Sequence, residues 1–186
     1  CCTASDSEDA RKVAAKLDIP YYVMDYTESF SEDVVDNFVG MYAKGLTPNP
    51  CVECNRSVKF DHFINQAKKL NCDKVATGHY AKIIKNNDKY ELHKADYVDK
   101  DQSYVLHMLK SSDLENITFP LGEISKPDVR QIAARIGLKT AFKKDSQDIC
   151  FVGKKDYRSF VEKRIDLTSP GEIFDTEGNK VGDHNG

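Results

Sequence analysis

An α/β fold, with crossover helices on a sheet, is what this 186-residue sequence predicts. Two observations carry the prediction. Helical and extended patterns follow in the order helix, strand, helix, helix, strand between residues 5 and 84. The extended runs among them are short, apolar and rich in aromatic or β-branched residues. A third observation sets the organisation: the strand and Gly-turn signals of 170–186 open a separate β-rich unit. The expected division is residues 1–165 for the α/β domain and 166–186 for the start of a β-rich middle domain.

Taken in order, "SDSEDARKVAAKLDI" (5–19) predicts an amphipathic helix, with Ser5 or Asp6 as N-cap and Val13, Ala14 and Leu17 on one face. "PYYVMDY" (20–26) predicts a short strand. Residues 31–45 predict a helix with Val34, Val35, Phe38, Met41 and Tyr42 on one face and Gly45 as its C-cap. The loop "LTPNP" is stiffened by two prolines. "NRSVKFDHFINQAKKLN" (55–71) predicts the next helix, and "DKVATGHYAKII" (73–84) begins as a buried strand. Residues 79–95 alternate around Asn86, Asn87 and Asp88, the pattern of a hairpin. Residues 125–141 predict a helix, with Ser125 as N-cap, Pro127 in the first turn and Gly137 at its end. A last short helix is predicted over 154–165.

Composition is that of a globular domain, 40% hydrophobic and 31% charged, and no apolar run approaches the roughly 20 residues needed to span a bilayer. A net charge of −3 argues against nucleic-acid binding over the whole surface. A local basic patch remains: Lys143, Lys144, Lys154, Lys155 and Arg158 flank Cys150, whereas acidic residues crowd the first forty positions. Six cysteines are too sparse for a disulfide-stapled secreted domain, so a cytoplasmic protein with reduced thiols is expected. The chain starts at Cys1 and stops at "VGDHNG", which reads as an interior piece of a longer protein.

The chemistry concentrates in the cysteines. Cys54 lies just before "NRSVKF", where a helix is predicted to start, and unpaired N–H groups there would lower a thiol pKa. Arg56 and Lys59 add positive charge nearby. The plainer reading is a small apolar side chain packed at a helix start. Cys150, between Ile149 and Phe151, carries the same ambiguity. Cys51 and Cys54 have zinc-knuckle spacing, but no second C-x-x-C and no H-x(3–5)-H pair completes a tetrahedral site. A thioredoxin-like couple needs a strand before the pair, and here a proline loop precedes it. In "ATGHY", Gly78 allows close approach of a ligand at a strand end or is a simple turn; His79 can bond a phosphate or be a satisfied surface histidine. "DKDQSY" (99–104) is a polar loop entering a helix, read as a solvated cap or as a nucleic-acid contact.

"TPNPCVECNRSVKF", "ATGHYAKI", "KDQSYVLHML", "FPLGEISKPDVRQIAARIGL" and "KKDSQDICFVG" together, in this order and spacing, resemble the tRNA-specific 2-thiouridylases of the pyrophosphatase-loop ATPase group. The opening "CCTASDSEDARKVAAKLDIP" is similar to the family as well. The resemblance implies a Rossmann-like sheet of the adenine nucleotide alpha hydrolase type, and a family pyrophosphate loop that would precede Cys1. It also implies ATP, with Mg, adenylating C2 of a wobble uridine in Lys, Glu or Gln tRNAs. Sulfur would come from a sulfur-relay protein or a cysteine desulfurase. By the resemblance, Cys150 carries the persulfide and Cys54 is the nucleophile; Gly78 contacts ATP; Asn49, Pro50 and Cys51 face the target base; His79, Lys100, Asp101 and Gln102 contact tRNA. No metal ligand is implied. Many members carry Asp where this chain has Cys51, which leaves a third thiol able to form a competing Cys51–Cys54 bond. Two rival readings are a cysteine-zinc RNA-binding module and another adenylating enzyme of the same ATPase group.

Overall fold

The computed structural model describes residues 4–143, 149–153, 156–165 and 169–185. Helix α1, Ala4–Leu17, has an acidic residue in its first turn and a lysine in its last, each matching the helix dipole. Only Ala14 of α1 is buried, so polar links to the segment after residue 136 hold it in place. Lys16 Nζ donates to Gly137 O at 2.8 Å, and Lys143 Nζ donates to Asp6 and Asp9 at 2.7 and 2.9 Å.

Residues 20–26, expected as a strand, take no regular structure and have no strand partner among the described residues. Tyr22 and Val23 are 66% and 74% exposed. Aromatic and β-branched content favours a pleated, half-buried surface, but a strand exists only where a neighbouring ladder accepts its N–H and C=O groups.

Helix α2 runs over 27–43, beginning four residues before the expected start, with a π-helical stretch at Ser31–Asp36 between two α-helical ends. It buries Val34, Phe38 and Val39 and stops at Gly45, whose φ of 72° serves the predicted C-cap. Helix α3 runs over 50–69 and starts earlier than expected. Asn49 is its N-cap, Oδ1 accepting from Cys51 N at 3.1 Å, and Pro50 occupies the first turn. Cys54 therefore lies inside the helix, not at its start. Residues Asn55–His62 of α3 are π-helical and Phe63–Lys69 return to α.

The strands form three pairs. β1 (Val75–Ala76) pairs in parallel with β4 (Ile117–Thr118); between them β2 (Ala81–Asn86) and β3 (Lys89–Lys94) form the expected hairpin, with Asn87 at φ 52° in its turn. The parallel β1–β4 pair with α3 packed before it is the α/β element of the fold. "DKDQSY" does not enter an α-helix: short 3₁₀ turns cover Val98–Lys100 and Ser103–Val105. Helix α4, Lys126–Arg135, has Ser125 as N-cap and is closed by Gly137 at φ 72°. It is shorter than the predicted 125–141, the remainder becoming a 3₁₀ turn at Lys139–Phe142. Helix α5 is Tyr157–Glu162, and β5 (Gly171–Phe174) with β6 (Lys180–His184) makes the final antiparallel pair.

Apolar burial organises these elements into three clusters. Phe60, Ile64 and Ala67 of α3 pack on Val75, Ala81, Val105, Leu106, Ile117 and Phe119. Val34, Cys54 and Val58 join α2 to α3, with Tyr26, Phe30 and Phe151 against them. Phe38, Val39 and Val161 join α2 to α5, again with Phe151. Phe151 thus belongs to two clusters, with ring centroids 5.7, 5.3 and 5.2 Å from Phe30, Phe38 and Phe160. Aromatic pairs in such edge-on or tilted geometry each contribute about 0.5–1.5 kcal/mol beyond burial.

Candidate active site around two thiols

Helix α3 carries one wall of the site. Cys51 is exposed on its first turn and Cys54 is buried in its second, 9% exposed. The other wall is the turn Ile149–Gly153, whose Phe151 inserts into the Val34–Cys54–Val58 cluster and so brings exposed Cys150 toward Cys54. Cys150 acts electrostatically on both Cys51 and Cys54, so the three thiols share one site.

The expected low thiol pKa of Cys54 is not found. Burial pushes the Cys54 thiol up, against an opposing pull from Lys59; Cys51, though exposed at the surface, is also raised, chiefly because the surrounding protein partly desolvates it. The reason is its place in α3: one turn in from the N-terminus, Cys54 no longer meets the unpaired N–H groups. Arg56 is also spoken for. Its guanidinium donates to Glu53, Nε at 2.9 Å, and lies 3.4 Å from Asp61, so of the two cations read beside Cys54 only Lys59 acts on the thiols.

The basic patch is weaker than the sequence implied. Lys143 is held by Asp6 and Asp9, and Arg158 by Glu162 at 2.8 Å. Lys144, Lys154 and Lys155 lie outside the described residues, as do Cys1 and Cys2.

At the carboxyl end of β1, Gly78 is exposed, and a Cβ there would meet only Leu121 Cδ1 at 3.8 Å. Packing within the chain does not require this glycine. A groove of about 770 Å³ reaches β1 itself, lined by Tyr22, Met24, Tyr26, Lys59, Val75 and Ala76 among others. The carboxyl end of a strand is where α/β sheets bind their ligands, and the groove there is open and edged by aromatic side chains and a lysine.

His79 is not the surface histidine of the sequence reading. It is 8% exposed, its Nδ1 lies 2.8 Å from Thr77 Oγ1, and its ring packs at 6.0 and 5.9 Å from Phe60 and Phe119. Burial, with a smaller push from Lys59, takes its pKa down to about 4 from 6.5, so it is neutral near pH 7. The unfolded chain gains this proton near pH 6.5 and the folded chain only near 4, so stability is lost as pH falls through that window. The loss amounts to roughly 3 kcal/mol. His79→Gln should lose less stability than the wild type between pH 7 and 4.5, read from urea midpoints; equal losses would contradict this.

Lys100, Asp101 and Gln102 form a loop tied to the same place. Gln102 Oε1 accepts from Tyr80 N at 3.1 Å, while Gln102 N donates to Tyr80 O at 2.8 Å. Asp101 accepts from Ala95 N at 2.8 Å and from Ser103 Oγ at 2.7 Å. Burial pushes its carboxyl up, but these hydrogen bonds outweigh it and the net shift is down. Lys100 stays exposed at the loop's tip. The loop thus sits beside His79, and Asn55 Nδ2 donates to Val105 O at 3.3 Å, linking it to the thiol-bearing helix. The Tyr80–Gln102 clamp and the Phe151 joint escaped the sequence reading; an aromatic directly after Cys150 was the visible signal for the second. Among the described residues, no three His, Cys, Asp or Glu side chains converge as a metal site, and no helix is long and apolar enough to cross a membrane.

A parallel strand pair backed by a helix, with ligand-accessible backbone at the strand's carboxyl end and thiols on that helix, defines a protein of the HUP class, the Rossmann-like α/β fold of pyrophosphatase-loop ATPases. A family model described as "tRNA methyl transferase HUP domain" matches residues 1–154, and the chain belongs to that family. It is 47% identical over 186 residues to the tRNA-specific 2-thiouridylase MnmA of Leptospira interrogans, covering 100% of this chain and 50% of that protein. To the MnmA proteins of Renibacterium salmoninarum and Chloroflexus aurantiacus it is 50% and 47% identical over 188 residues, covering 100% of this chain and 50% and 52% of theirs. The chain spans about half the length of these relatives.

Proposed function

We propose that the full protein of which this chain is part is a tRNA 2-thiouridylase, with residues 1–165 in its catalytic domain and 166–186 opening the next. The supporting observation is that Phe151, the residue after Cys150, packs in the cluster that contains Cys54, so the exposed Cys150 is carried beside the buried Cys54. The 2-thiouridylase relatives' reaction must install sulfur, and an exposed thiol beside a buried one suits carrying and releasing it.

ATP, held near Gly78, supplies the adenylyl group that turns the C2 oxygen of the uridine into a leaving group. Asn49, Pro50 and Cys51 face the base, and the exposed Lys100 with Asp101, Gln102 and His79 meets the tRNA. His79 does so as a neutral hydrogen-bonding group rather than a cation. Cys150, exposed on its turn, receives sulfur from a sulfur-relay protein or a cysteine desulfurase as Cys150–S–SH. The Cys54 thiolate attacks the Cys150 sulfur, forming Cys54–S–S–Cys150 and releasing HS⁻, which displaces AMP at C2 of the uridine. An external dithiol then reduces the disulfide and restores both thiols. Burial of Cys54 limits attack by solvent oxidants, whereas Cys150 is open to a sulfur donor.

Incubation with a cysteine desulfurase and cysteine, followed by peptide mass mapping, tests the reading. One added sulfur on the Cys150 peptide is expected, lost in Cys150→Ser. Sulfur found only on Cys72, or bound zinc with no sulfur uptake, would overturn it.

A further inference from the structure

Helix α3 changes pitch between its thiols and its lysine. Over Asn55–His62 it is π-helical, and such segments are rare and frequent at functional sites. In a regular α-helix, side chains five residues apart point roughly 140° from each other. At the roughly 4.4 residues per turn of a π-helix, the same five steps leave them only about 50° apart. The π register therefore turns Lys59 onto the face of Cys54. Three α steps and five π steps bring it almost into line with Cys51 as well. Helix side chains lean toward the N-terminus, so the Lys59 ammonium reaches back along the face that carries both thiols.

Three further observations agree. Lys59 lines the groove together with Val58 of its own helix and with Val75 and Ala76 of β1, so it faces the carboxyl end of that strand. It forms no ion pair with a carboxylate among the described residues. It is felt at Cys51, Cys54 and His79 alike.

We propose that Lys59 is a positioning residue for the sulfur chemistry: its ammonium group stabilises negative charge on Sγ of Cys54, and of Cys51 beside it, when the thiol proton leaves to solvent. This rests on the thiol roles proposed above and adds the charge they require. The other side chains around Cys54 among the described residues do not serve. Arg56 on the same helix is occupied by Glu53 and Asp61. From α2, Asp33 accepts from Ser57 and lies 3.7 Å from His62. Tyr26 packs from residues 20–26 as an apolar neighbour. Cys51 and Cys150, once ionised, disfavour a thiolate at Cys54. Burial raises the Cys54 thiol, and Lys59 is the largest influence bringing it back.

The test is the pH profile of alkylation at Cys54, followed by peptide mass mapping on the 186-residue chain, for wild type, Lys59→Met and Lys59→Arg. Lys59 is exposed, so folding should survive, and circular dichroism with Cys72 labelling checks it. Lys59→Met should move the Cys54 midpoint to higher pH, slowing alkylation at pH 7.5 about three- to tenfold. Lys59→Arg should restore it. A Lys59→Met profile superimposable on the wild type, or no rescue by arginine, overturns the proposal. No sulfur donor or tRNA enters this experiment, so a failure of sulfur loading at Cys150 is read separately.

Discussion

Cys150→Ser in the complete protein is expected to lower sulfur transfer to tRNA by at least about a thousandfold, because a serine hydroxyl cannot form the persulfide and no weaker version of the step remains. The side chain is exposed on a turn and makes no part of the apolar clusters, so the variant should fold and bind tRNA as the wild type does. That separation distinguishes a chemical role from a structural one. Phe151, not Cys150, anchors the turn, through ring contacts to Phe30, Phe38 and Phe160. Measured as thiouridine formed per tRNA at saturating ATP, activity of Cys150→Ser within about tenfold of wild type would contradict the assignment.

Phe60→Ala should produce the largest loss of stability. Phe60 is 1% exposed, sits edge-on to Phe119 at 6.2 Å and 6.0 Å from His79, and belongs to the cluster that joins α3 to β1 and β4. Truncating a buried phenylalanine costs about 3–5 kcal/mol in lost transfer energy and residual cavity. Domain stabilities are about 5–15 kcal/mol in total, so this is a large fraction. Urea denaturation at pH 7 measures it, and a loss under about 1 kcal/mol would mean that α3 packs differently from the structure.

The parts of this fold legible in the sequence were those with local causes. The 86–88 turn needs only an Asn able to take positive φ. Ser125 and Gly137 bracket α4 through capping chemistry that any sequence displays. The start of α3 was also displayed, since Asn49 followed by Pro50 is an N-cap with proline in the first turn; weighing the prolines only as loop formers placed the helix five residues late and Cys54 at its tip. Residues 20–26 went astray for a non-local reason, because a strand requires a partner ladder that the segment's own residues do not reveal. β4, two residues long, gave no period to detect.

At the site, residue types were legible and environments were not. The cysteines, Gly78 and the 100–102 loop stood out as motifs. Burial of His79 depends on Phe60 and Phe119, nineteen residues before it and forty after it, and cancellation of Arg56 depends on Glu53 and Asp61 aligning on one helix face. Lys59 was visible as a nearby charge, but its alignment with the thiols comes from the π register, which α-helical periodicity does not encode.

The central claim is that Cys54 and Cys150 react with one another. Mild oxidation of the 186-residue chain, followed by non-reducing digestion and mass mapping, tests it most directly. A Cys54–Cys150 disulfide in the wild type, absent from Cys54→Ser and Cys150→Ser and retained in Cys51→Ser, is the predicted result. Exclusive Cys51–Cys54 bonding, with Cys150 left free, would contradict it.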